Sequence, residues 1–154
     1  GEIISKGDNM MKGYWNLPEL TAETLRGGYL HTGDLATIDE EGYIYLIGRK
    51  KDAIVSGGKS IYPTEIEEVI YHHPSVREVA IIGIPDKELG EAIKAVVVLK
   101  EGGETTENEI IDFCRHNLAD YAIPKSVDFV SKLPRNPTGK VLRRVLREKY
   151  SPQG

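Results

Sequence analysis

The chain predicts an α+β fold, a small mixed sheet flanked by helices, and three observations predict it. Two capping-box patterns, Thr64-x-x-Glu67 and Thr106-x-x-Glu109, each open a stretch whose apolar residues recur at helical spacing. Two β-branched runs, 76–84 and 92–99, are apolar at successive positions, as strands covered on both faces are. The first 48 residues read as strands joined by glycine-containing turns.

Residues 2–6 form a short strand candidate, followed by a loop carrying Tyr14 and Trp15. Residues 18–25 are a short helical or turn segment ending at Gly27-Gly28. Residues 29–38 and 42–47 then read as two strands around the turn Asp39-Glu40-Glu41-Gly42. Centring that turn between Glu40 and Glu41 sets Asp34 opposite Ile47. Arg49, two residues further on, falls on the same face, diagonal to Asp34 at roughly 7–8 Å. A slip of one residue would put the two on opposite faces. A carboxylate and a guanidinium flanking one gap make either a ligand site or a plain surface salt bridge, which contributes little.

The stretch 48–67 is the densest in the chain. Arg49-Lys50-Lys51-Asp52 is too charged for a buried strand, and three apolar residues, 53–55, follow it. Ser56-Gly57-Gly58 is a loop that permits close backbone approach and positive φ. Pro63 stands at the mouth of a helix bearing Ile66, Val69, Ile70 and His73, which stops before Pro74. Residues 85–90 are a loop between the two apolar strands. The second capping box opens a helix with Ile110, Phe113, Cys114 and Leu118; residues 126–131 are a short strand and 141–150 a final helix.

The net charge of −4 hides an asymmetry: residues 1–48 hold three Lys/Arg against eight Asp/Glu, while 132–149 hold seven cations and one anion, Glu148. Such a tail suits nucleic acid, an anionic lipid surface or a phosphorylated cofactor, and equally a solvated helix face. The single cysteine, Cys114, excludes an internal disulfide, fits a reducing compartment and reads as a small core residue. No apolar run approaches the roughly 18 residues of a membrane span. Four scattered histidines give no metal-ligand spacing, and the adjacent His72-His73 cannot face one metal from a helix. There is no Gly-x-Ser-x-Gly elbow, which leaves a serine hydrolase without its nucleophile motif. Residues 134–141 lack the first glycine of a P-loop, and Val141 follows Lys140 where Ser or Thr is required. No other glycine-rich triphosphate cradle occurs.

Three ordered motifs carry a family resemblance that covers essentially the whole chain: Leu30-His31-Thr32-Gly33-Asp34-Leu35, the 48–67 stretch and Pro134-Arg135-Asn136-Pro137-Thr138-Gly139-Lys140. The chain resembles the C-terminal part of adenylate-forming enzymes, the acyl-CoA synthetase superfamily. The resemblance implies that an acid attacks the α-phosphate of ATP to give an acyl-adenylate, and that coenzyme A then displaces AMP. It assigns Asp34 and Arg49 to the ribose, Lys140 to the adenylation step and to ATP, Lys51 to a hinge, and Ser56, Gly57 and Gly58 to the coenzyme A passage. Thr138-Gly139 would give Lys140 a mobile loop. The cofactors implied are ATP, coenzyme A and Mg, the last held mainly by an N-terminal domain absent from this chain.

The same resemblance divides the chain into a β-rich tail of a barrel-like subdomain (1–48), a hinge (49–52) and a mobile C-terminal domain (53–154). A chain starting without Met inside a strand reads as part of a longer protein, inactive alone, whose partner is the rest of its own N-terminal domain. The wording around Gly57 to Glu67 is closer to free-standing ligases acting on a medium- or long-chain fatty acid, in the cytoplasm. An adenylation domain loading a carrier protein and a bare nucleotide-binding module are the other readings. Nucleic acid is not expected as a partner; a homodimer and a peripheral membrane contact stay open.

Overall fold

The computed structural model describes residues 1–151, so the last three residues of the expected 53–154 domain lie outside it. The chain folds as two compact units divided after Asp52. The first is a three-stranded antiparallel sheet in the order β1 (Glu2–Ser5), β2 (Leu30–Ile38), β3 (Ile44–Arg49), with helix α1 (Pro18–Thr24) before β2. Ala36 is its one buried apolar residue among those described; Ile38, Tyr43, Ile44, Tyr45 and Leu46 stay exposed.

The β2–β3 hairpin corrects the expected register. Asp39 donates its N–H to Tyr43 O at 3.1 Å, and Gly42 sits at φ 88°, so Glu40, Glu41 and Gly42 form a three-residue loop. Such loops join a type I turn to a left-handed glycine. Ile38 consequently pairs with Ile44, one residue off the expected ladder. A bulge at Ile47, between the Ala36–Leu46 and Leu35–Gly48 pairs, adds a second shift of one. Two odd shifts restore the face, and Asp34 stands directly opposite Arg49 instead of diagonal to it.

The second unit, from Ala53 onward, is the expected small mixed sheet with flanking helices. Its strands are β4 (Ile54–Ser56), β5 (Lys59–Ile61), β6 (Val76–Asp86), β7 (Gly90–Leu99) and β8 (Ser126–Phe129). Its helices are α2 (Pro63–Tyr71), α3 (Glu107–Asn117) and α4 (Arg143–Tyr150). β6 runs antiparallel along one edge of β7; β4 and the parallel β8 share the other. Alternate residues feed two cores. Ile81, Ile93, Ala95 and Val97 pack with Ile66, Ile70, Ile110 and Cys114, whereas Ala80, Ile82, Val96 and Val98 pack with Leu133 and Leu146. Burial on both faces explains the near-continuous apolar runs. Lys94 interrupts one and reaches out to Asp128 at 3.0 Å. Cys114 is a core residue, and burial pushes its thiol up to about 11.

Local chemistry departs from expectation at four places. Pro63 takes the first helical position of α2 and makes Tyr62 the N-cap, so Thr64 lies inside the helix and its capping box does not form. Glu67 instead accepts the Ile81 N–H at 2.8 Å and grips Arg143 Nη2 with both oxygens, at 2.7 and 2.8 Å. The Thr106–Glu109 box forms in full, and the Thr106 N–H is the main cause holding the Glu109 carboxyl below its usual range. Ser56 ends β4, and Gly57-Gly58 is a two-residue turn with φ 57° and 77°, the type I′ geometry, leading into β5. The 85–90 loop shrinks, because Pro85 and Asp86 extend β6 and Asp86 Oδ1 caps the N–H groups of Glu88 and Leu89. α4 begins at Arg143, since Val141 is held in a β-bridge with Arg135.

Candidate functional site

In the first unit, strand pairing brings Asp34 and Arg49 together: Arg49 Nε donates to Asp34 Oδ1 at 2.8 Å, with the side chains 33% and 40% exposed, Asp34 being the less exposed. Asp34 Oδ2 and the terminal nitrogens of Arg49 make no hydrogen bond among the described residues. They present a free acceptor and free donors side by side. The backbone beneath them is fixed. Thr32 Oγ1 accepts the Asp34 N–H at 3.1 Å and donates to Ile3 O at 2.8 Å. Gly33, at φ 73°, donates its N–H to Glu2 Oε1 at 3.2 Å.

Glu2 Oε2 also contacts His31 Nδ1 and Arg26, each at 3.2 Å. The His31 hydrogen bond is the chief reason the Glu2 carboxyl lies below its usual range. An open cleft of about 500 Å³ is lined by Glu2, Arg26, His31, Arg49, Lys50 and Lys51 among others. Its cations favour an anionic ligand. Lys51 itself is exposed in a single 3₁₀ turn, Lys50–Asp52. Sequence reasoning missed Glu2, Arg26 and His31; pairing β1 with β2 would have put Glu2 beside the Gly33–Asp34 segment.

In the second unit, Lys140 closes a tight turn. Asn136 Oδ1 accepts from Thr138 N at 3.1 Å, Thr138 Oγ1 at 2.8 Å and Lys140 N at 2.8 Å. Asn136 N–H donates to Lys140 O, and Gly139 N–H to Asn136 O, both at 2.9 Å. Thr138-Gly139, expected as a mobile loop, is here closed into a turn by its own hydrogen bonds. The Lys140 side chain is exposed and makes no hydrogen bond or ion pair among the described residues.

Ser56 is buried in β4, while the Gly57 N–H donates to Leu89 O at 2.9 Å and ties the turn to the β6–β7 hairpin. A cavity of about 340 Å³ beside this turn is lined by Ser56, Gly57, Lys59, Leu89, Tyr121 and Lys125 among others. The Lys59 ammonium lies 4.2 Å from the Tyr121 ring centre, a cation–π contact that sequence reasoning did not anticipate. Of the seven cations in 132–149, Arg135 pairs with Glu78, Arg143 with Glu67 and Arg144 with Glu148, which lowers the positive potential of this segment. Among the described residues no group of three His, Cys, Asp or Glu side chains could hold a metal ion, so these residues do not fit a Mg site of their own. No helix among them is long and apolar enough to cross a membrane.

Residues 65–140 match the family described as AMP-binding enzyme C-terminal domain. The chain is 50% identical over 148 residues to a long-chain-fatty-acid–CoA ligase of Bacillus subtilis strain 168, covering 96% of this chain and 26% of that protein. It is 47% identical over 150 residues to a feruloyl-CoA synthase of an Amycolatopsis species, covering 97% of this chain and 30% of that protein. ATP-bound MatB from Rhodopseudomonas palustris superposes with a TM-score of 0.91 at 45% identity, over 97% of this chain and 30% of that one. The chain thus spans 30% or less of the length of these relatives. The chain therefore carries an AMP-binding enzyme C-terminal domain, and the matched residues 65–140 lie within the second unit.

Proposed function

We propose that this chain is the C-terminal part of an ATP-dependent, AMP-forming acid–CoA ligase. The observation that carries the proposal is the Asp34–Arg49 pair, joined at 2.8 Å with its outer atoms unpaired beside a cationic cleft. Free carboxylate and guanidinium atoms at that spacing suit the paired hydroxyls of a ribose, and the cleft suits its phosphates. In the first step a carboxylate oxygen of the acid attacks the α-phosphorus of ATP, and pyrophosphate leaves. Two anions must approach each other, and Lys140 supplies the cation that offsets the charge building on the attacking and phosphoryl oxygens. In the second step the sulfur of coenzyme A attacks the acyl carbon, and AMP leaves. Gly57-Gly58 and the cavity beside them suit a thin pantetheine chain running against backbone. Lys51 is the pivot between the two half-reactions.

The acid is a medium- or long-chain fatty acid, which the Bacillus relative supports; the feruloyl-CoA relative makes an aryl acid the alternative. The remaining partner is the rest of a protein of the relatives' length, and the setting is the cytoplasm. The test is AMP formation from ATP by the full-length protein, across acids of increasing chain length, with and without coenzyme A. AMP that needs both acid and coenzyme A and peaks at one chain length is the expected result. Acid-dependent pyrophosphate exchange indifferent to coenzyme A would replace the thiol acceptor with a carrier protein. No acid-dependent cleavage of ATP would overturn the proposal. The 154-residue chain alone, without a glycine-rich triphosphate cradle, is expected to give no turnover.

A further inference from the structure

We propose that Asn136 is the positioning residue of Lys140, an inference that rests on Lys140 serving the adenylation step. A lysine on an exposed loop is the least constrained of side chains, yet its reaction requires an ammonium delivered to one place. The backbone that carries Lys140 is not free. One atom, Asn136 Oδ1, accepts hydrogen bonds from Thr138 N, Thr138 Oγ1 and Lys140 N at 3.1, 2.8 and 2.8 Å. Two backbone bonds at 2.9 Å, Asn136 N to Lys140 O and Gly139 N to Asn136 O, close the same ring. The strongest grip is on Lys140 itself, whose N–H and C=O are both engaged by Asn136.

The turn is also hooked to the sheet. Arg135 Nη1 donates to Gly139 O and Arg135 Nη2 to Glu78 Oε2 on β6, each at 2.6 Å. The Arg135–Val141 bridge then closes the base of the loop. Gly139, at φ 85°, takes the backbone conformation that lets the chain turn back at that point. What stays free is the Lys140 side chain alone, so its ammonium searches only the rotamers of one long chain from a fixed Cα. Ordering the backbone before the substrate arrives removes that cost from the reaction.

The experiment compares Asn136→Ala and Asn136→Asp in the full-length protein, with Lys140→Ala in parallel. Adenylation by Asn136→Ala is expected to fall roughly ten- to a hundredfold in kcat, the cost of a misplaced catalytic group. The KM for ATP should stay within about threefold, and the thioester step from preformed acyl-adenylate should be unchanged. Asn136→Asp should recover most of the rate, because a carboxylate oxygen accepts from the same three donors. Independently of activity, hydrogen exchange of the 138–140 amides should quicken in Asn136→Ala and not in Asn136→Asp. Equal loss in both half-reactions, or wild-type adenylation by Asn136→Ala while Lys140→Ala is crippled, would overturn the positioning role alone. Full adenylation by Lys140→Ala would overturn the functional reading beneath it, and the positioning role with it.

Discussion

Asp34 and Arg49 face each other across β2 and β3 because two departures from a regular hairpin cancel. The left-handed Gly42 shifts the ladder once and the Ile47 bulge shifts it again. A pair this exposed contributes little to stability, so its placement matters through what the outer atoms can bind. Removing the carboxylate should therefore act on nucleotide and hardly on folding. Asp34→Ala in the full-length protein is predicted to raise the KM for ATP, with a loss in kcat/KM of roughly 10- to 150-fold. That range is the equivalent of a lost hydrogen-bond set to a charged group, about 1.5–3 kcal/mol. Asp34→Asn, which keeps one acceptor oxygen, should fall between, and steady-state kinetics at varied ATP reads both. Strand alternation put these two residues on one face, but through a register that missed both shifts, and the face came out right because they cancel. The support under them was not legible in the sequence: Glu2 holds Gly33 and His31 through a pairing with β1 that no local pattern signals.

At the scale of elements, backbone geometry decides where local patterns mislead. Pro63 and Thr64 both look like helix starts, but a helix has one N-cap; the proline takes the first helical position and displaces the capping box. Asp39 followed three residues later by Gly42 is the signature of a type I turn with a glycine after it, and it makes the loop odd where an even one was expected. Strand N–H groups find partners that no strand pattern announces: Glu67 accepts the Ile81 N–H, Glu107 the Val127 N–H and Glu91 the Val55 N–H, each at 2.8 Å. The Gly57-Gly58 turn is the clearest case of a backbone requirement. No atom lies within 4 Å of a Cβ built on Gly58, so its φ of 77° is the only obstacle to a side chain. Gly58→Ala is predicted to destabilise the chain by about 1–2 kcal/mol, the cost of left-handed backbone for an L-residue. Gly58→Asn should cost less, because asparagine tolerates that region. Urea unfolding midpoints of the three proteins check the order.

The α+β character and the mixed sheet of the second unit were legible because β6 and β7 are covered on both faces and helices α2 and α3 keep a regular apolar spacing. The first unit gave less away. Its strands alternate, but Ile38, Tyr43, Ile44 and Leu46 remain exposed, so the sheet has no core of its own to specify what lies against it. The basic segment 132–149 also reads differently in three dimensions, since Glu67, Glu78 and Glu148 take up three of its cations. Lys140 is not among them, and it is the group on which the proposed chemistry turns. The most direct test is Lys140→Ala in the full-length protein, with the two half-reactions measured separately. Adenylation is predicted to fall by roughly a hundred- to a thousandfold, as for loss of one group stabilising transition-state charge. Thioester formation from preformed acyl-adenylate should stay within about threefold of wild type. Equal losses in the two steps would contradict the assignment of Lys140 to the first.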